Sequence, residues 1–245
     1  MIKNTIRLLV IAVISMLFAS TASASDTHYN DAVNVGKMLN ERNASLENAV
    51  KSGDIKKIHT LYDDFTKYIS KTEKAIGKVS RKTKRDKLMS AYVKPAKVTR
   101  ERVIYEVSQY RLIHQMKGLY ASGKIEQAKK DFAKLERLKK RSVEIKKKGG
   151  YKSLPSKIDK DLTKLTDRVK NTLFNGGTKR VSIEEAEFLI LHDHIDSTEV
   201  EIKIIFFDEQ LGAYRAKVGP KNERYGYWFV QVHPYTGIVG EVPIR

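Results

Sequence analysis

Residues Ile55, Ile58, Tyr62, Phe65, Ile69, Thr72 and Ile76 follow one another at alternating spacings of three and four. That rhythm lays them along one face of an α-helix and leaves the opposite face polar, which a strand of period two cannot do. The pattern returns twice. Ile125, Ala128, Phe132, Leu135, Leu138, Ser142 and Ile145 form a second stripe, and Ile158, Leu162, Leu165, Val169 and Leu173 a third. Between the first two lies a long stretch, residues 84–121, with Leu88, Tyr92, Val103, Val107, Tyr110, Ile113 and Tyr120. Pro95 interrupts it and is expected to kink or break a helix there. Residues 30–52, with Val33, Leu39, Leu46 and Val50, supply one more helix. Such stripes are buried against partner helices, so residues 28–175 are predicted to form a bundle of five helices.

An internal repeat orders them. Ser52-Gly53-Asp54-Ile55 recurs as Ser122-Gly123-Lys124-Ile125, and each glycine suits the left-handed cap that ends one helix before the next begins. The unit is a long helix, a Ser-Gly turn and a returning helix. The expected packing is two antiparallel three-helix bundles sharing the long middle helix, which at 1.5 Å per residue would be about 55 Å long, giving a rod.

Beyond Asn175-Gly176-Gly177, a break that suits a linker, the pattern changes. Ser182-Ile183-Glu184-Glu185 is a capping box that opens a short helix to about His192. Strands are predicted over 199–207, 211–218, 224–233 and 238–244, with Pro234-Tyr235-Thr236-Gly237 as a tight turn. Alternation assigns Tyr227, Phe229 and Gln231 to one face of the third strand and Trp228, Val230 and Val232 to the other. The fold class is therefore mainly α, with a C-terminal α+β module of one helix and a small antiparallel sheet. The expected domains are 25–176 and 181–245.

Charge follows the same division. Residues 25–180 hold 39 lysine and arginine side chains against 18 acidic ones, a net of +21; residues 181–245 hold 6 against 11, a net of −5. The first part should be drawn to polyanions, and the second should have a different partner.

Residues 1–24 read as a secretory signal. Lys3 and Arg7 precede an apolar run from Leu8 to Phe18, and Ala22-Ser23-Ala24 supplies small residues for cleavage after Ala24. The run is shorter than the roughly 20 residues that span a bilayer, and no other stretch is apolar enough, so no membrane span is expected once the signal is removed. The chain has no cysteine, hence neither disulfides nor a lipid anchor at the cut. Export without disulfides suits a Gram-positive cell surface, where wall polymers and anionic lipid headgroups are the abundant polyanions. That context disfavours nucleic acid as the partner.

The run from Ala121 to Arg141 (ASGKIEQAKKDFAKLERLKKR), followed by Gly149-Gly150-Tyr151, resembles the helical-bundle region of S-layer proteins of the SbsC type. The resemblance extends over residues 28–175. It implies rod-like triple-helix bundles that attach to a secondary cell-wall polymer through basic and aromatic side chains. The pattern Val181-Ser182-Ile183-Glu184-Glu185-Ala186, followed by strands and the run from Tyr227 to Val239 with its Thr-Gly turn, resembles a PepSY domain. That resemblance implies a secreted binding module that holds a peptidase in check.

Packing the predicted helices brings Lys56, Lys57, Lys94, Lys97, Arg100, Arg102, Lys146, Lys147 and Lys148 toward a waist between the two bundles, with Tyr92 and Tyr151 as stacking faces for sugar rings. These are the candidate polymer-binding residues. Arg81, Lys82, Lys84, Arg85 and Lys87 form a second basic group at a helix turn. No catalytic residue, metal site or cofactor is assigned. The six histidines sit in no nucleophile–base–acid motif, and His192-Asp193-His194 reads as a solvated helix end. The adjacent pairs Asp63-Asp64 and Glu184-Glu185 do not face each other on a helix. The sequence thus points to a non-enzymatic, secreted, wall-associated binding protein. A peptidase-regulating module on a helical spacer and an extracellular nucleic-acid binder are the alternatives.

Overall fold

The computed structural model describes residues 2–176, 180–195, 200–221 and 226–242, with side chains from Thr27 to Glu241 within those ranges. The helices are α1 (Ile2–Ser52), α2 (Ile55–Gly77), α3 (Lys82–Leu88), α4 (Lys94–Ala121), α5 (Ile125–Gly149), α6 (Ser156–Phe174) and α7 (Ile183–Asp193). A π-helical turn, Met89–Val93, joins α3 to α4. Strands β1 (Val200–Asp208), β2 (Ala213–Pro220), β3 (Trp228–Val232) and β4 (Val239–Val242) form one antiparallel sheet in the order β1-β2-β3-β4. The fold is mainly α with a C-terminal α+β module, as the periodicities imply. Among the described residues, no helix is long and apolar enough to cross a membrane.

Two compact units are present. The first holds the chain up to Val107 together with Lys146–Pro155; the second holds Ser108–Ile145 and Ser156–Arg245. Helices α4 and α5 contribute to both.

In the first unit α2 buries all seven residues of its predicted stripe, from Ile55 to Ile76. Each fully buried aliphatic or aromatic side chain there contributes roughly 1.5–3 kcal/mol. Helix α1 faces it with Leu39, Leu46, Ala49 and Val50. Along α4 and the π turn, contacts climb in step with α1: Gly36 meets the Tyr92 ring, and Glu47 accepts from Thr99 and Arg102. These two therefore run parallel, while α2 runs against them, with Glu73 near its end pairing with Lys97. Helix α1 ends at the first Ser-Gly turn. Asp54 N–H donates to Ala49 O and Gly53 N–H to Val50 O, with Gly53 at φ 71°. The second copy repeats this geometry: Lys124 N–H donates to Leu119 O, Gly123 N–H to Tyr120 O, and φ is 76°. Both are the paired left-handed cap in which a glycine avoids the Cβ penalty.

Pro95 does not break the long helix. It lacks an N–H, and its ring would press on the carbonyl four residues back in a regular α-helix. The π turn lies immediately before it, and Lys94 N–H donates to Met89 O, five residues back. The wider turn lets the helix pass through the proline.

In the second unit α6 buries its predicted stripe, and also Asp161, Thr166, Arg168 and Thr172, because a second face packs on the C-terminal module. Tyr214, Ala216, Val218, Val230 and Val232 are buried on one face of the sheet, and α7 packs against β1, β3 and β4; Phe229 and Gln231 lie on the other face, which is the assignment that alternation gives. Gly237 stands at φ 68° in the turn before β4. Glu199, Asn222, Tyr225 and Gly177, which enter the predicted strands, hairpin loop and linker, lie outside the described residues, as do the side chains of the predicted signal.

Candidate anion-binding surface

The residues predicted to converge at a waist are mostly spoken for. Arg102 Nη1 donates to both oxygens of Glu47, at 2.8 and 3.0 Å. Arg100 pairs with Glu101 at 2.6 Å, Lys97 with Glu73 at 2.6 Å, and Lys146 with the buried Glu106. Lys56 is half-buried and engaged as well. For Arg102, Lys97 and Lys146 the carboxylate comes from another helix, and for Arg100 from the next residue; a buried carboxylate such as Glu106 is costly without such a cation. Lys57, Lys94, Lys147 and Lys148 remain exposed, with no carboxylate partner among the described residues. Lys94 and Glu106, the level of Lys146, are twelve residues apart on α4, about 18 Å. The group is thus strung along the helix rather than gathered at one point. Tyr92 is half-buried with its ring on Gly36, and Tyr151 folds back over Gly149, so neither is a free stacking face. In the second basic group, Arg85 Nη1 donates to Val79 O at 2.7 Å, just beyond the end of α2.

The structure gathers cations elsewhere. On α4, Ser108, Arg111, Leu112 and Gln115 line an open groove of about 590 Å³ opposite Lys134, Arg137, Leu138 and Arg141 on α5. Both sets have the spacing i, i+3, i+4, i+7, the mark of two helix faces turned toward each other. Ordinary packing would close such an interface with apolar side chains. Here only Leu112 and Leu138 are apolar, and four cations, Arg111, Lys134, Arg137 and Arg141, share the lining with them. Asp131, fully buried, anchors one end by accepting from Lys134 at 2.7 Å, Gln115 at 3.0 Å and Gln127 at 3.2 Å. Arg137 and Arg141 are exposed and have no carboxylate partner among the described residues. They stand four apart on one helix face, where like charges repel. Helix α5 as a whole carries ten cations against four acids, so neighbouring carboxylates do not relieve that repulsion.

This groove was missed because Leu135 and Leu138 drew α5 into a core stripe. The stripe is in fact loose: Ala128, Leu135 and Ser142 are buried, but Ile125 is exposed. The run Lys134, Arg137, Arg141, spaced three and four, was the available signal. Chemically, planar guanidinium groups beside two leucines suit carboxylate or phosphate groups on a polymer that also has uncharged parts.

The end of α7 is also not the solvated segment expected. His192 Nε2 stands 3.8 Å from Asp161 of α6, and its Nδ1 lies 2.9 Å from Phe188 O. Asp193 accepts from Lys117 of α4 at 2.6 and 2.9 Å. Trp228 Nε1 donates to His194 Nε2 at 3.2 Å. Three successive side chains thus tie α7 to α6, α4 and β3. Burial pushes the His192 imidazole below its ordinary value, against the opposing pull of the Phe188 carbonyl and Asp161. Among the described residues no group of three or more His, Asp or Glu could hold a metal ion.

Residues 17–97, about a third of the chain, match the family described as the SbsC C-terminal domain. The match covers the first helices rather than the run from Ala121 to Tyr151 on which the resemblance was read. It does not reach residues 181–245. Among curated proteins none matches the chain. Solved structures do. The crystal structure of the S-layer protein rSbsC aligns at a TM-score of 0.52 and 15% identity, over 86% of this chain and 28% of that one. The N-terminal part of the bacterial S-layer protein SbsC aligns at 0.52 and 17%, over 84% and 52%. Domains 1–6 of surface layer protein SbsC align at 0.52 and 15%, over 86% and 27%. The chain therefore spans between about a quarter and a half of the proteins it matches. At these identities the likeness is one of fold alone: the chain is similar in fold to part of the S-layer protein SbsC.

Proposed function

We propose that this chain is a secreted, cell-surface binding protein whose helical region holds an anionic wall polymer in the groove between α4 and α5. The observation that carries this reading is that Arg111, Lys134, Arg137 and Arg141 line one groove together with Leu112 and Leu138. An oligosaccharide bearing carboxylate or phosphate groups would relieve the repulsion between Arg137 and Arg141. The exposed lysines Lys57, Lys94, Lys147 and Lys148 would add long-range attraction and a faster encounter. The reading is one of binding and not catalysis. It is supported by the +21 imbalance of residues 25–180, by the SbsC-like fold and by the signal read in residues 1–24. The C-terminal module, a helix and a four-stranded sheet in keeping with a PepSY-like architecture, is then displayed at the surface, where restraint of a secreted peptidase is the alternative role.

The test is co-sedimentation with purified Gram-positive sacculi. Binding should weaken with salt, since exposed charges are screened beyond about 8 Å at physiological ionic strength. Sacculi stripped of anionic polymer should lose the protein. Equal retention on stripped sacculi would refute the reading, and a preference for duplex DNA over isolated polymer would favour nucleic acid instead.

A further inference from the structure

Asp131 of α5 is fully buried at one end of the groove between α4 and α5, enclosed by three side chains. Lys134 Nζ and Gln127 Nε2 donate to its Oδ1, at 2.7 and 3.2 Å, and Gln115 Nε2 donates to its Oδ2 at 3.0 Å. For packing alone such a carboxylate is a poor choice, since apolar side chains in place of a buried ion pair are often neutral or stabilising. What Asp131 does achieve is to fix two amides. A carboxylate paired with a lysine only accepts hydrogen bonds, so each glutamine must present its amide nitrogen to it and turn its carbonyl oxygen away. Gln115 and Gln127 are exposed, and neither Oε1 has a hydrogen-bond partner among the described residues.

The two ends of the groove therefore differ. Helices α4 and α5 are joined by the turn at Gly123 and run against each other, and Gln115 stands at the level of Asp131. Arg137 and Arg141 lie further along α5, toward Ser108 at the other end of the α4 lining. Ser108 and Gln115, seven residues apart, are separated by about 10 Å. The Arg141 end offers exposed guanidinium groups and attracts an anion. The Gln115 end offers an amide oxygen beside a lysine whose charge Asp131 already takes up, and calls for a neutral donor. A chain of bare phosphates has no such donor along its length. A sugar acid carries a charged group and hydroxyls on the same unit.

On the reading of this groove as a polyanion site, we propose that Gln115 is its specificity-determining residue and Asp131 the positioning residue behind it. Held with its carbonyl away from Asp131, Gln115 accepts a hydrogen bond from a saccharide hydroxyl in the groove that it lines. Gln127, fixed by the same carboxylate, is a second acceptor beyond that end. The groove thus selects acidic saccharides over polyanions without donors. A ligand that displaces water from the Gln115 oxygen and cannot replace the water's hydrogen bond loses affinity.

Titration calorimetry of the chain from residue 25 with two probes of matched charge, oligogalacturonate and linear polyphosphate, tests this at one salt concentration. Gln115→Met keeps the length of the side chain and removes its carbonyl. It should weaken oligogalacturonate binding about fivefold and leave polyphosphate within about twofold of the parent. Asp131→Asn, which lets the Gln115 amide turn over, should shift the ratio of the two affinities in the same direction. Far-UV circular dichroism checks the fold of each variant, and the exposed Gln115→Met carries the test should Asp131→Asn melt early. The reversal R137E/R141E should weaken both probes. If it does so while Gln115→Met changes the two probes equally or not at all, the groove stands and the role of Gln115 is overturned. If the parent binds neither probe, or the arginine reversal spares both, the groove is not a polyanion site and the proposal falls with it.

Discussion

Arg168 Nε on α6 donates to Glu185 Oε1 on α7 at 2.8 Å, from a side chain that is 2% exposed. Its Nη1 also donates to the carbonyl of Tyr235 at 3.2 Å. One guanidinium thus fastens both α7 and the turn before β4 to the helix beneath them. Truncation of one member of a buried ion pair typically costs about 3–5 kcal/mol. Glu185 is partly exposed and can recover water, so Arg168→Leu should lose about 3 kcal/mol, read as a lower denaturation midpoint with an unchanged slope.

The same contacts bear on the predicted division at residues 177–180. Ending the chain at residue 176 would deprive Arg168, Thr172, Tyr110 and Lys117 of partners at once. The proposal that residues 25–176 fold alone predicts a strongly helical spectrum with a cooperative melt, at a lower temperature than the full chain. A disordered spectrum would contradict it.

Gly237 gives a sharper test of the turn. Its φ is 68°, and an added Cβ would lie 2.8 Å from Leu189 Cδ1 and 3.1 Å from Arg168 Cδ. Gly237→Ala combines backbone strain with overpacking and should destabilise by about 1–3 kcal/mol. Gly240→Ala, with nothing within 4 Å and no positive φ, should change thermal stability little.

His192 makes stability depend on acid. Burial lowers its folded pKa below the unfolded value of 6.5, so the unfolded chain takes up a proton first as pH falls. The contribution is fully present above 6.5 and is lost as pH drops from there through the folded pKa. Denaturation midpoints should fall between pH 7.5 and 5.5, and His192→Gln should flatten that fall. A variant with the parent's full pH dependence would show that another group is responsible.

What the sequence discloses is what local period determines. The stripe from Ile55 to Ile76, the two Ser-Gly caps and the alternation of Trp228 to Val232 were legible because neighbours along one element fix them. The passage through Pro95 was not, since it depends on one widened turn. Nor was the second buried face of α6, whose Thr166, Arg168 and Thr172 look like solvent residues until a module from sixty positions onward covers them. The site suffered most. Whether a lysine is free or held depends on a carboxylate 40 to 55 residues away, as with Lys146–Glu106 and Arg102–Glu47. Nothing local distinguishes Lys146 from Lys147.

That distinction supplies the most direct test of polymer binding. The variant Arg137→Glu/Arg141→Glu reverses two exposed groove cations. A control, Lys57→Glu/Lys94→Glu, reverses two exposed lysines on other helices and has the same net charge. Affinity for isolated anionic wall polymer can be measured by titration calorimetry for both at one salt concentration. The groove account predicts at least a tenfold loss for the arginine pair, about 1.4 kcal/mol or more, and a markedly smaller loss for the lysine pair. Equal losses would mean that net charge alone attracts the polymer, and binding undiminished in the arginine variant would contradict the groove as its site.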